Sequence, residues 1–169
     1  MTGSRPIYEQ AILPHLDAAY SLARWLLRDP DAASDVVQDA CLRALQHFAS
    51  FRGDDARAWL LQIVRNTAYT RLRARSGRQE VSLDESDTHP GLDVADPAPG
   101  PEEQLATRQD LAQLDAALAA LPVELRECLV LCELEQLSYK EIARITEVPI
   151  GTVMSRLWRA RRLLAGVAR

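Results

Sequence analysis

Leu137 to Leu164 read LSYKEIARITEVPIGTVMSRLWRARRLL, and this stretch decides how the chain is organised. Ser138 followed three residues later by Glu141 is a capping box, which predicts a helix from about Tyr139 with Ile142, Ala143 and Ile145 on its apolar side. Val148-Pro149 ends that helix, because the residue before a proline is pushed out of the helical region, while Pro149 suits the first turn of a new one. Val153, Leu157 and Ala160 then recur at helical spacing and leave Thr152, Ser155, Arg156 and Arg159 largely on other faces. From Val148 onward there are five arginines (Arg156, Arg159, Arg161, Arg162, Arg169) and no acid. Two short helices around a tight turn, the second cationic, outline a helix-turn-helix whose recognition helix enters a DNA groove. An ordinary helical hairpin with a solvated basic face fits the same residues, since cations favour a helix C-terminus in any case.

The remaining composition is that of a water-soluble helical protein. At 169 residues there is room for one domain or two small ones, and 47% hydrophobic with 26% charged residues supplies a core. Ala, Leu, Arg and Glu dominate and period-two alternation is scarce, so an all-α fold is expected. The formal net charge of −4 conceals a segregation: eight acids lie between Gln79 and Thr107 with no Lys or Arg among them, and removing them turns −4 into +4. Two patches are basic and free of acids, Arg65 to Arg78 with five arginines and the C-terminal helix with five more. No run of about 18 apolar residues exists to span a membrane, and MTGSRPIYEQ at the start has no hydrophobic signal core, so a cytoplasmic protein without membrane insertion is expected. Three cysteines, Cys41, Cys128 and Cys132, do not make a complete disulfide framework; small buried hydrophobes are the favoured reading, a thiol switch at Cys128 and Cys132 the lesser one.

Taken in order, Ile7 to Leu27 carries Ile12, Leu13, Leu16, Ala19, Tyr20, Ala23, Leu26 and Leu27 at amphipathic spacing, with Pro14 either starting or bending the helix. Asp29-Pro30-Asp31 makes a turn with Asp31 as N-cap. Ala32 to Phe48 is a second helix with Val36, Ala40, Ala44, Leu45 and, fitting less well, Leu42 inward and Asp35, Gln38, Asp39 and Arg43 outward. A loop, SFRGDD, precedes a third helix from Ala56 to about Arg75, whose core stripe is Trp59, Leu60, Ile63, Val64, Ala68 and Leu72. The same helix carries Arg65, Asn66, Tyr69, Arg71, Arg73 and Arg75. Arginines can track phosphates, an exposed tyrosine can stack on a base and an amide can read a base edge, which suits an unstacked single strand. Tyr69 is the aromatic expected at the surface; Trp25 and Trp59 have apolar neighbours and belong to the core. The segment Ser76 to Pro101, rich in Pro, Gly and acids, reads as a linker. Beyond it, Glu102 to Leu121 forms a helix with Leu105, Leu111, Leu114, Ala117, Leu118 and Leu121 inward, and Pro122 opens another that runs to about Leu134. His15, His47 and His89 are scattered, and neither a nucleophile-base-acid arrangement nor a metal-ligand spacing appears, so no catalytic residue, metal or cofactor is expected and an enzyme is not.

Together these pieces resemble an extracytoplasmic-function (ECF) sigma factor of the sigma-70 family, reduced to sigma domains 2 and 4, over nearly the whole chain except the linker. DVVQDACLRAL is similar to the family's acidic helix that binds the β′ clamp helices of RNA polymerase core, which implies polymerase contacts at Asp35, Gln38, Asp39 and Arg43. SFRGDDARAWLLQIVRNTAYTRLR resembles the segment that melts and captures the −10 element. The resemblance places Phe51, Arg52, Gly53 and Asp54 in a pocket for a flipped base and Asn66 on the non-template strand; Tyr69, Arg65, Arg71, Arg73 and Arg75, read above as strand-holding residues, share the helix with Asn66 and are expected to bind the −10 DNA with it. LPVELRECLVLCELEQLSYKEIARITEVPIGTVMSRLWRAR resembles domain 4. Its second helix would read the −35 element through Thr152, Met154, Ser155, Arg156, Trp158, Arg159 and Arg162, with the β flap as a further polymerase contact. The family implies two helical domains, 1–76 and 102–169, joined by an acidic flexible linker at 77–101, and an anti-sigma factor as partner.

This sequence departs from the family pattern at Cys132, where many members have Arg, at Met154, often Arg or Lys, and at Thr70, often Asp or Asn; these bear on promoter sequence. A dimeric repressor with the same helix-turn-helix, and an interaction module whose basic faces dock an acidic protein, remain as other readings.

Overall fold

The computed structural model describes residues 4–79 and 101–167. Most of the expected linker, residues 80–100, therefore lies outside the described residues.

Helix α1 (Ser4–Ile12) and helix α2 (Leu16–Leu27) are separated by a 3-10 turn at Leu13–His15. Pro14 lacks an N–H and cannot continue the α-helical ladder, so the chain bends there. Helix α3 (Pro30–His47) starts two residues earlier than the expected Ala32 because Asp29, not Asp31, is its cap: the Asp29 carboxylate accepts from the N–H groups of Asp31 (2.9 Å) and Ala32 (3.3 Å). Arg75 donates to the same carboxylate at 3.0 Å. Slight burial raises the Asp29 carboxyl, but the Ala32 and Asp31 amides and the Arg75 charge outweigh it and hold it below its ordinary value. A depressed acid stabilises the fold above its ordinary titration range, and that contribution is lost as pH falls through the lowered value. Asp29→Ala is accordingly expected to cost about 1 kcal/mol at neutral pH, a difference that closes on acidification below the carboxylate range in urea titrations; a pH-independent difference would remove the charge from the account.

Helix α4 (Ala56–Gln79) is capped by Asp55, whose Oδ1 accepts the Ala58 N–H at 3.0 Å. It runs four residues past the expected end at Arg75, since Gly77 weakens a helix without breaking it. Beyond residue 100 come α5 (Pro101–Ala120), α6 (Val123–Glu133), α7 (Tyr139–Thr146) and α8 (Ile150–Val167). The capping box is formed in both directions at 3.1 Å between Ser138 and Glu141. Glu147, in the left-handed conformation at φ 59°, closes α7, and the Pro149 carbonyl accepts from Thr152 and Val153 to begin α8.

Helices α2, α3 and α4 bury Leu22, Leu26, Ala33, Val36, Ala40, Ala44, Leu60, Leu61 and Val64 against one another. In the C-terminal half Leu131, Ile142, Ile145, Val153, Leu157 and Ala160 join α6, α7 and α8. Two expectations about inward faces are corrected. Leu42 and Leu45 are 59% and 48% exposed, because α3 buries a narrow stripe of Ala32, Val36, Ala40 and Ala44 and the leucines fall outside it. Leu105, Leu111 and Leu114 are exposed as well, since α5 is packed mainly by its end, through Leu118 and Leu121. The halves are docked: α2 lies on α6, α4 lies on α7, and the buried apolar residues of both form one continuous cluster.

Candidate nucleic-acid interface

The loop before α4 is built on aromatic packing. Phe51 lies 4.8 Å from Trp59 and 6.1 Å from Phe48 between ring centroids, leaving Phe51 half-buried and Arg52, Gly53 and Asp54 exposed. A side chain at Gly53 would meet the Phe51 ring at 3.3 Å, so glycine lets the backbone close over that ring. Trp25 and Trp59 pack against the core, as their apolar neighbours predict.

Residues expected to hold a single strand divide into three groups along α4. Asn66 and Arg73 are exposed. Arg71 and Arg75 reach back to the preceding helices, Arg71 to Asp35 of α3 at 3.5 Å and Arg75 to the α3 cap Asp29 and the Leu27 carbonyl at the end of α2. The Arg71 pair is solvent-exposed on both sides and contributes little, about 0–1 kcal/mol. Arg65 and Tyr69 face the C-terminal half. The expectation of an exposed Tyr69 is overturned: it is 9% exposed and donates its hydroxyl to Glu127 Oε2 at 2.8 Å, with the Arg65 guanidinium 3.9 Å above its ring. Arg65 Nε donates to Glu127 Oε1 at 2.6 Å. Glu127 is fully buried; that burial pushes its carboxyl up, and Arg65 and Tyr69 pull it back. Tyr69 is pushed up by burial and by Glu127, so its phenol remains a donor.

On α8, Met154 and Trp158 are 53% and 60% exposed, Ser155, Arg159 and Arg162 share the exposed surface, and Arg162 sits 5.1 Å over the Trp158 ring. Thr152 is half-buried. Arg156 departs from this group: it lines a cleft with Arg65, Tyr69, Arg73 and Glu124, and its Nη1 is shielded from solvent without a hydrogen-bond partner. Arg161 is tied to Glu133 at 2.9 Å, with the Cys132 sulfur 3.7 Å away. Asp35, Gln38, Asp39 and Arg43 are all exposed on α3, and Leu42 and Leu45 flank them, giving that face apolar area that a simple helical-wheel reading assigns to the core. The alanines at 40 and 44 were the signal for the narrower inner stripe.

The three cysteines are free thiols. Burial pushes Cys128 up to about 11, which keeps it protonated and unreactive at neutral pH, in line with a buried hydrophobe. No described helix is long and apolar enough to cross a membrane.

Comparison with known proteins agrees with this layout. The description "Sigma-70 region 2" matches residues 11–78 and "Sigma-70, region 4" matches residues 111–164. The chain is 31% identical over 166 residues to the RNA polymerase sigma-H factor of Pseudomonas aeruginosa, covering 96% of this chain and 86% of that one. It is 36% identical over 134 residues to the ECF RNA polymerase sigma-E factor of Escherichia coli K12, covering 77% and 70%. Among solved structures, the sigma factor RpoE of Bartonella quintana, crystallised with the anti-sigma factor NepR, superposes with a TM-score of 0.75 at 30% identity, covering 95% of this chain and 96% of that one. CnrH, in complex with the cytosolic domain of CnrY, shares the fold at a TM-score of 0.68 and 24% identity, covering 99% and 90%.

Proposed function

The chain belongs to the sigma-70 family as an ECF RNA polymerase sigma factor, and from that premise we propose that it binds core polymerase, recognises −10 and −35 promoter elements, melts the promoter and directs initiation. The observation that carries this reading is the coexistence of two exposed, chemically distinct faces on one chain: the mixed acidic and apolar face of α3, and the arginine and aromatic face of α8.

In this reading residues 1–76 form domain 2, 77–101 the linker and 102–169 domain 4. Asp35, Gln38, Asp39 and Arg43 grip the β′ clamp helices, with Leu42 and Leu45 adding apolar area. Phe51, Arg52, Gly53 and Asp54 receive a flipped base of the −10 element, Asn66 reads the non-template strand, and Arg65, Tyr69, Arg71, Arg73 and Arg75 hold its backbone. Domain 4 contacts the β flap and lays α8 in the −35 major groove, where Thr152, Ser155, Trp158, Arg159 and Arg162 contact DNA and Met154 offers an apolar contact suited to a thymine methyl. Arg156 can join them only by leaving its cleft. Because the similar Bartonella sigma factor was crystallised with an anti-sigma factor, an anti-sigma partner is proposed here too. Linking the readers lets each raise the local concentration of the other's DNA site.

Transcription in vitro with core polymerase and a candidate promoter tests the reading: specific initiation should require this protein. Operator binding by the protein alone, with no initiation, would instead fit a repressor. Within that assay Asp39→Arg is expected to weaken core binding while leaving the fold intact by circular dichroism; unchanged affinity removes α3 from the interface. Arg159→Ala should weaken −35 recognition by about 1–3 kcal/mol if it makes a bidentate base contact. A loss spread evenly over all promoter sequences would show a phosphate contact instead.

A further inference from the structure

Of the expected DNA-binding surfaces, α4 is the one that the other half of the chain reaches with hydrogen bonds and an ion pair. Four side chains along one side of α4 reach across: Arg57 to the Glu135 carbonyl at 2.8 Å, Gln62 to Glu147 at 2.8 Å, and Arg65 and Tyr69 to Glu127 at 2.6 and 2.8 Å. Arg144 of α7 also approaches the Gly53 loop, within 3.6 Å of where a side chain at Gly53 would stand. The α3 face and the exposed part of α8 are left open by the same docking.

We propose that Glu127 is an intramolecular stand-in for a promoter phosphate: its buried carboxylate occupies Arg65 and Tyr69 in the docked form, so that single-stranded DNA is captured only after α6 withdraws from α4. The inference rests on the sigma reading for the role of Arg65 and Tyr69. Its chemistry is simple substitution. A carboxylate presents two anionic oxygens to a guanidinium as a phosphate does, and one arginine fork cannot serve both in the same geometry. Tyr69 donates its hydroxyl to the same carboxylate and has its ring covered by Arg65, so neither its polar end nor its π-face is available to a base. Since the α3 face is exposed in the docked form, polymerase can engage first, and undocking then releases the capture helix. The closed chain thereby avoids binding stray single strands in the absence of polymerase.

The test uses the full chain without polymerase. Small-angle scattering reads the docking, and anisotropy with a short mixed-sequence single-stranded oligonucleotide reads capture. Glu127→Ala should expand the protein and tighten single-strand binding by about tenfold or more, since apparent affinity scales with the open fraction, which the proposed lock sets below about one in ten. Glu127→Gln, which keeps an acceptor for Tyr69 but drops the charge, should fall between. If Glu127→Ala fails to fold, the double variant Arg57→Ala/Gln62→Ala removes two exposed-side ties and should show the same expansion and gain in affinity. A compact protein with unchanged single-strand affinity in whichever variant folds overturns the proposal. The sigma reading is judged separately, by core-dependent initiation: variants that remain closed yet initiate refute only the lock, and variants that open and bind single strands without initiating refute only the sigma reading.

Discussion

Arg126→Met should destabilise the docked protein by about 3–5 kcal/mol in urea unfolding at neutral pH, since several buried carbonyls lose their donor at about 1–3 kcal/mol each, part of which is recovered by no longer burying a charge. Arg126 is 6% exposed and its guanidinium donates to five backbone carbonyls. Those of Trp25 (2.7 Å) and Leu26 (3.3 Å) lie in the last turn of α2, and those of Leu118 (3.3 Å), Ala119 (3.3 Å) and Leu121 (3.0 Å) at the end of α5. The last carbonyls of a helix have no partner within it, and two helix C-termini brought together would face each other with like partial charge. One cation satisfies both. Burial and the neighbouring Arg28 charge lower the Arg126 pKa from the ordinary arginine value, with Tyr69 and Glu124 pulling the other way. Methionine keeps the length of the stem and donates nothing, so the carbonyls lose that donor, the Leu118 carbonyl keeping the Leu121 N–H at 3.2 Å. A loss below about 1 kcal/mol would mean that water enters and replaces the guanidinium without strain.

Leu157→Ala should cost about 2–5 kcal/mol, the span of large-to-small substitutions at closed core sites. Leu157 is 1% exposed on the inner side of α8, facing the C-terminal core that α8 shares with α6 and α7. The cavity left there loosens α8 itself, so on the proposed function −35 affinity should fall together with stability. Leu163→Ala is the control: at 52% exposure on the same helix it should change stability by less than about 0.5 kcal/mol. Equal effects of the two would show that α8 is held by something other than its inner stripe.

How far the sequence reached can be seen helix by helix. The capping box at Ser138, the break at Val148-Pro149 and the stripe Val153, Leu157, Ala160 were legible because each depends on residues within one or two turns of each other, and all three stand as read. Leu42, Leu45, Leu111 and Leu114 misled because helical spacing identifies a stripe but not its width, and whether a leucine at the margin is covered depends on how closely a neighbouring helix approaches. Against the alanines of α3 the approach is close and the covered stripe narrow.

Arg126 and Glu127 were the larger omission. Two charged residues in succession read as solvated, yet both are buried because α6 is surrounded by α2, α5, α7 and α8 with α4 beside it. One clue lay in VELRECLVLCE itself, where Val123, Leu125, Cys128, Leu129, Val130 and Leu131 occupy every side of the helix, a pattern that marks a helix buried all round.

By itself, then, the sequence determined an all-α chain, the capping box and proline break that set out its last two helices, and the residue types that α3 and α8 carry outward, since these follow from local capping, proline placement and residue type. Only the tertiary structure decided which of those residues are free to act. Asn66 and Arg159 are exposed, Asn66 meeting Arg65 only at 3.4 Å, while Arg65 and Tyr69 are spent on a glutamate 62 and 58 residues away in sequence. A buried charge must find a partner, and which partner stands within reach is a property of how two helical units dock, not of the spacing along either one.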